Sequence, residues 1–308
     1  MQKLELTQKF SLESKDVFEK AYSSLKFPLS EHSFAWIYLW DSCYKDIEWR
    51  MINRNLCLFL TFEGNRYVWG PVLPGSRLGE TIGKCFSLCE DYNVNNGISK
   101  KPAVMYIPEE LKGDYASLEG FELEEQNQDY IYKTRDVIEL SGRKYQDKRN
   151  KRNFFVKNHN FVVEEYSAAR HKKGCIDLLE RWEKQKEAAV KECDKEKFEA
   201  ELDANKKVLD YAESFGIKGM VVLVDGIIEG LIFGNRTNER ICTMFFGKTN
   251  LQVKGLSQFI YGEFLKRFFS NCELVNDMED WDVSYLRHSK FSYKPLMVKK
   301  SHKLVKSA

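Results

Sequence analysis

The chain has 308 residues, of which 43% are hydrophobic, 14% aromatic and 31% charged, with a formal net charge of +2. Its length suits two domains of about 150 residues, its composition excludes a disordered chain, and its near-neutral charge leaves any nucleic-acid reading to local clusters. The longest apolar runs, Met220 to Val224 and Ile227 to Phe233, fall far short of the roughly 20 residues of a bilayer span, and Met1 to Phe10 lacks the apolar region of an export signal, so a cytoplasmic protein is expected.

Glu13 to Leu25 and Ser33 to Trp40 show helical spacing, with Ser30 or Ser33 suited to cap the second helix. Phe34, Trp36, Tyr38 and Trp40 form an aromatic stripe there, read as core rather than cleft because such side chains carry large areas to bury. Glu48 to Ile52, Leu56 to Phe62 and Arg66 to Trp69 read as an antiparallel meander that turns at Glu63-Gly64 and ends at Gly70-Pro71. A helix from Arg77 to Tyr92, a short strand from Ala103 to Ile107, a helix from Glu109 to Leu118 and an extended segment from Phe121 to Lys133 complete the first half.

The second half opens with a charged helix, Lys144 to Asn158, and a strand, Phe161 to Tyr166. Long helices follow at about Ile176 to Lys191 and Lys195 to Phe215, then strands at Lys218 to Val224, Ile228 to Asn235 and Arg240 to Phe246, the first two joined at Asp225-Gly226. A loop from Gly247 to Lys254 leads to a helix, Leu256 to Phe269, and a strand, Glu273 to Asn276. Each half therefore repeats strand, acidic residue with glycine, strand and later helix, which places a seam near Asp136 to Gly142 and domains at 1–138 and 139–308.

Eight cysteines (Cys43, Cys57, Cys85, Cys89, Cys175, Cys193, Cys242, Cys272) show no CxxC spacing and the five histidines are scattered, so reduced, partly buried thiols are expected, without a metal site. Three clusters can carry chemistry. Gln252, Lys254, Gly255, Leu256 and Ser257 stand between strand and helix, where unpaired backbone NH groups and a glycine admit a diphosphate. Arg143, Lys144, Lys148, Arg149, Lys151, Arg152 and Lys157 concentrate cations on one helix, suited to nucleic-acid phosphates or an anionic head group. Asn276, Asp277, Glu279, Asp280, Asp282, Arg287, His288, Lys290, Tyr293 and Lys294 follow a strand end, where a carboxylate orients a nucleophile and a cation steadies an oxyanion.

The C-terminal run Asn276, Asp280, Leu286-Arg287, Lys290, Ser292-Tyr293 and Pro295 resembles the signature of the phosphatidylglycerol lysyltransferase C-terminal-domain family, as does the basic segment Gly142, Lys144-Tyr145 and Lys148-Arg149-Asn150. Asp277, Met278 and Asp282 depart from that signature, which has Arg, Glu and Gly there. The resemblance implies an α/β (α+β) fold of two tandem GNAT-like domains, with mixed, mostly antiparallel sheets flanked by helices. It also implies kinship with transferases that move amino acids from aminoacyl-tRNA. On that basis the expected function is acyl-group transfer from aminoacyl-tRNA to an amine or hydroxyl of a small-molecule, lipid or peptide acceptor. Asp280, Arg287 and Lys290 would be the catalytic residues, and Lys144, Lys148, Arg149, Arg152, Asn276 and Tyr293 would bind substrate or tRNA. The alternatives are a CoA-dependent N-acyltransferase taking acetyl-CoA or acyl-CoA at Gln252 to Ser257, since that loop resembles the GNAT pyrophosphate loop except at Ser257, and a non-catalytic RNA- or peptide-binding module.

Overall fold

A computed structural model describes residues 7–73, 75–187 and 195–307; Cys193, the expected helix end at Lys191 and the first residues of the segment read for an export signal lie outside them. The chain forms two compact units, one running to Asp129 and resuming at Lys299, the other Tyr130–Val298.

In the first unit β1 (Gln8–Lys9), α1 (Lys15–Tyr22) and α2 (Phe34–Leu39) precede a meander of β2 (Lys45–Ile52), β3 (Asn55–Phe62) and β4 (Asn65–Leu73). Then come α3 (Leu78–Asn95), β5 (Val104–Pro108), α4 (Lys112–Ala116) and β6 (Phe121–Lys133), whose last four residues belong to the second unit. Ser33 caps α2, its Oγ accepting the Trp36 N–H at 3.4 Å, and Phe34, Trp36 and Trp40 are buried as expected of a core stripe. On α3, Ile82, Cys85, Phe86 and Cys89 share one buried face, which packs with Phe59, Val68 and Ile107 of the sheet.

The second unit contains α5 (Thr134–Glu139), α6 (Gln146–Asn158), β7 (Phe161–Glu165), α7 (Ala168–Glu187) and α8 (Lys195–Tyr211). After them come β8 (Lys218–Val224), β9 (Ile227–Arg236), β10 (Ile241–Thr249), α9 (Leu256–Phe268), β11 (Leu274–Asn276) and α10 (Ser284–Ser292), and then β12 (Met297–Lys306), which belongs to the first unit from Lys299 onward. Its core joins Tyr132, Phe155, Met220, Ile232, Phe264 and Val275.

The repeat read from the sequence is visible in the topology. Each two-residue turn, Glu63-Gly64 and Asp225-Gly226, has positive φ at both positions, the geometry that matches hairpin twist. In each unit the third strand of the meander then crosses through a helix to a parallel neighbour: β4 to β5 through α3, and β10 to β11 through α9. The following strands exchange. β12, not β6, pairs with β5 (His302 opposite Ile107), while the end of β6 pairs with β11 (Tyr132 opposite Val275). The exchange accompanies the division of the units, one ending at Asp129 and resuming at Lys299.

Other differences have local causes. β4 runs on to Leu73 through a cis Gly70–Pro71 bond, and an irregularity opposite it, between Leu56 and Leu58, accommodates the proline's missing donor. α7 starts well before Ile176 because the Ser167 N–H donates to His171 Nδ1 at 3.0 Å, closing the first turn with an imidazole in place of the usual acid. α5, α10 and β12 went unread: α5 is short, α10 lies within the run taken as a site loop, and β12 alternates lysines with buried Ser301, His302 and Leu304.

Candidate active site

The C-terminal cluster assembles where β11 ends. Asn276 is fully buried and its Oδ1 accepts the Met278 N–H at 2.7 Å, which turns the chain off the strand. Met278, Trp281 and Asp282 then adopt left-handed backbone, with φ of 58°, 50° and 60°. Non-glycine residues tolerate this only where their surroundings hold them, at a cost of about 1–3 kcal/mol each, and such strain gathers at functional loops. The hold is visible: Tyr130 N–H donates to Met278 O (3.3 Å), Asp277 N–H to Tyr130 O (3.0 Å) and Val283 N–H to Asp280 O (2.8 Å).

Asp280 is buried, and both its oxygens are committed. Oδ2 accepts the Tyr130 hydroxyl at 2.5 Å and Arg287 Nε at 2.7 Å; Oδ1 accepts Arg287 Nη2 at 3.2 Å and the Asp282 N–H at 2.9 Å. Burial pushes this carboxyl up, but the bonds from Arg287, Tyr130 and the Asp282 backbone outweigh it and hold the group below the usual aspartate range. It is therefore a weak proton acceptor, and its work is to anchor Arg287. That guanidinium also donates to Asp282 Oδ1 at 2.6 Å, and its side chain remains 42% exposed. The two aspartates raise its already high pKa. The result is a fixed, partly exposed cation, in the fork geometry that suits an oxyanion or phosphate.

Lys290, three residues further along α10, meets the Asp277 carbonyl and lies 3.3 Å from the Asp277 carboxylate. Its backbone carbonyl accepts the Tyr132 hydroxyl at 3.0 Å. Tyr293 is buried edge-on to Tyr132 and Tyr261, and its carbonyl accepts the Tyr145 hydroxyl at 3.1 Å. Burial first, then the Asp277 charge, raises the Tyr293 and Tyr261 hydroxyls, so both stay protonated.

The basic helix divides by role. Arg149 donates to the Leu140 and Gly142 carbonyls and Arg152 to the Ile138 carbonyl, so both satisfy the C-terminal end of α5. Lys144 faces Asp136 at 3.5 Å and Lys151 pairs with Asp147 at 2.9 Å. Lys148 is half-buried with its ammonium 4.2 Å from the centre of the Tyr293 ring. Burial, then the nearby Lys151 charge, pushes its pKa down. Thus Lys148, Lys290, Tyr293, Asn276, Asp280 and Arg287 gather around β11 and α10, whereas the Arg149 and Arg152 guanidiniums are spent on α5.

Gln252 to Gly255 lead into α9, which Leu256 and Ser257 begin, and Gly255 has φ +87°. A Cβ there would sit 2.0 Å from the Lys151 carbonyl of α6 and 3.2 Å from Phe155 Cβ. The glycine thus serves a helix–helix contact, and on that side no diphosphate can approach. Leu256 is fully buried, the Gln252 N–H donates to Asn250 Oδ1 at 3.0 Å, and Lys254 lies 4.7 Å from the Phe154 ring centre.

Tyr130 and Tyr132 were missed as site-forming residues. Their one signal was position in the tyrosine-rich strand ahead of the basic helix. A second missed feature is the bulge at Phe245, where Met244 and Phe246 face the consecutive partners Gly234 and Phe233; bulges often re-aim side chains beside sites. The described thiols are free, and Cys57, Cys85, Cys89, Cys175, Cys242 and Cys272 are buried.

Asp280→Asn is expected to cost about 1–3 kcal/mol at pH 7, since the buried partner of a charged hydrogen bond is lost. Because the folded carboxyl titrates below its unfolded value, that contribution is complete above the unfolded pKa of about 4 and disappears as pH falls through the folded value. Urea melts of both proteins from pH 7 to 3 should therefore converge at the acid end. Parallel curves would contradict the ion pair.

A meander, helix crossover and parallel strand, present in each unit and carrying this cluster at a strand end of the second, define a tandem GNAT-like α/β fold. Residues 22–301 match the family described as "Phosphatidylglycerol lysyltransferase, C-terminal", and the chain belongs to that family. It is similar to a solved conserved protein of unknown function from Bacteroides thetaiotaomicron, at 22% identity over 98% of this chain and 100% of the other, with a TM-score of 0.85. L-PGS from Bacillus licheniformis superposes with a TM-score of 0.62 at 14% identity, over 97% and 93% of the two chains. A tandem GNAT protein from the clavulanic acid biosynthesis pathway gives 0.56 at 8%, over 98% of each. Among curated proteins, an uncharacterized protein of Mycoplasmoides gallisepticum is 26% identical over 181 residues, 58% of this chain; the match spans 56% of that relative's length. Among the described residues no helix is long and apolar enough to cross a membrane.

Proposed function

We propose that this chain passes an aminoacyl group from a tRNA ester to an amine or hydroxyl acceptor in the cytoplasm. The observation that carries the reading is Arg287, held in a fork by Asp280 and Asp282 with its side chain 42% exposed, in a chain of this family. The acceptor's nitrogen or oxygen attacks the ester carbonyl and the bond from the carbonyl carbon to the ribose oxygen breaks. The acceptor's proton ends on that ribose oxygen. Arg287 steadies the carbonyl oxygen as it gains charge, Asp280 and Tyr130 position Arg287, and Lys290 anchors the Asp277 loop. Burial of the described core thiols favours direct transfer over a covalent enzyme intermediate.

The packing at Gly255 favours tRNA over CoA as donor, because the glycine that would admit a diphosphate is closed by the α6 backbone. Thermal-shift titration tests this choice. Charged tRNA should raise the melting temperature with saturation, and acetyl-CoA should not. A shift with acetyl-CoA alone would favour the CoA-dependent acyltransferase, and a shift with uncharged RNA without turnover of charged tRNA would favour the binding module.

A further inference from the structure

Arg287 is gripped from two sides by unequal partners. From the protein side, Asp280 receives Nε at 2.7 Å and Nη2 at 3.2 Å on a side chain that is only 4% exposed. From the solvent side, Asp282 receives the same Nη2 at 2.6 Å on a side chain that is 89% exposed. The first set of bonds is built into the fold, since breaking it strands a buried charge. The second is not: exposed ion pairs hold weakly, and a competing anion exchanges with them at little cost.

The backbone is arranged so that only a side chain need move. Asp282 has φ 60°, and its N–H is held by Asp280 Oδ1 at 2.9 Å, which pins the main chain whatever the Asp282 carboxylate does. Rotation of that side chain to another staggered conformer takes it off Nη2 and leaves Asp280 in place. With Asp282 bound, one guanidinium faces two carboxylates, so the trio carries one net negative charge and receives an oxyanion poorly. With Asp282 swung away, the Arg287–Asp280 pair is neutral. We infer that Asp282 is a displaceable counter-ion, which occupies the solvent side of the Arg287 fork in the resting protein and gives way when a substrate oxyanion enters. The inference rests on the aminoacyl-transfer reading above only for the identity of that oxyanion.

Phenylglyoxal, which adds to accessible guanidinium groups, reads the fork without a substrate. Its rate of reaction at Arg287, followed by peptide mass spectrometry, is compared in wild type, Asp282→Asn and Asp282→Glu, with and without inorganic phosphate as the competing anion. Asparagine tolerates left-handed backbone, so Asp282→Asn removes the charge and keeps the loop. It should react about two- to fivefold faster than wild type and need about two- to fivefold less phosphate for half-protection, the factor set by one exposed ion pair, while Asp282→Glu stays within about twofold of wild type. In the transfer assay the KM for charged tRNA should fall by a similar factor. Reaction at Arg287 that is unchanged or slower in Asp282→Asn, or phosphate protection that is unchanged or weaker, overturns the inference and assigns Asp282 to holding Arg287 in place. A KM that does not fall in a variant that transfers overturns it too. Faster reaction and tighter phosphate protection, with no transfer by any of the three proteins, keeps the counter-ion and overturns the aminoacyl-transfer reading.

Discussion

Gly255→Ala is expected to destabilise the protein by at least about 3 kcal/mol, a loss reserved for overpacking and backbone strain. Two costs combine. The residue has φ +87°, where a side chain is strained by about 1–2 kcal/mol, and the added Cβ would lie 2.0 Å from the Lys151 carbonyl, deep inside contact distance. Neither can relax cheaply, since the carbonyl belongs to the backbone of α6, and Phe155 beside it is fully buried in the core shared with Phe161 and Phe259. Urea denaturation checks the magnitude. A loss under 1 kcal/mol would show that α6 does not pack on this glycine, and would reopen the loop to a diphosphate.

Arg287→Met should lower aminoacyl transfer by about 10²–10³, the usual effect of removing one oxyanion donor. The stability loss should be about 1–3 kcal/mol, as for Asp280→Asn, because the buried Asp280 carboxylate loses its main partner. Arg287→Lys keeps the charge without the fork that reaches Asp280 and Asp282 together, so it should recover only part of the rate. The rate constant for transfer, measured with stability on the same preparations, separates the roles. Full activity in Arg287→Met would remove this residue from the mechanism.

Strand pattern was legible wherever apolar residues alternated or ran continuously: Phe121 to Lys133 and Lys218 to Val224 have the boundaries read from the sequence. β12 was not, because lysines dominate it and its buried positions include Ser301 and His302. The strand exchange was invisible for a different reason: it depends on which distant strand wins a sheet edge, and no local period encodes that. At the site, Asp280, Arg287 and Lys290 were readable together because they are close in sequence, whereas Tyr130 reaches Asp280 from 150 residues away. The basic helix was read as one surface. Its division into α5-capping arginines and a half-buried Lys148 requires α5, which was itself unread.

Incubating the protein with tRNA charged with a labelled amino acid, together with candidate amine and hydroxyl acceptors, and following the label by mass spectrometry tests whether the chain transfers aminoacyl groups. Label should leave the tRNA for an acceptor in the presence of wild-type protein, and at least about a hundredfold more slowly with Arg287→Met. Label that stays on the tRNA with every acceptor while acetyl-CoA is consumed would contradict it.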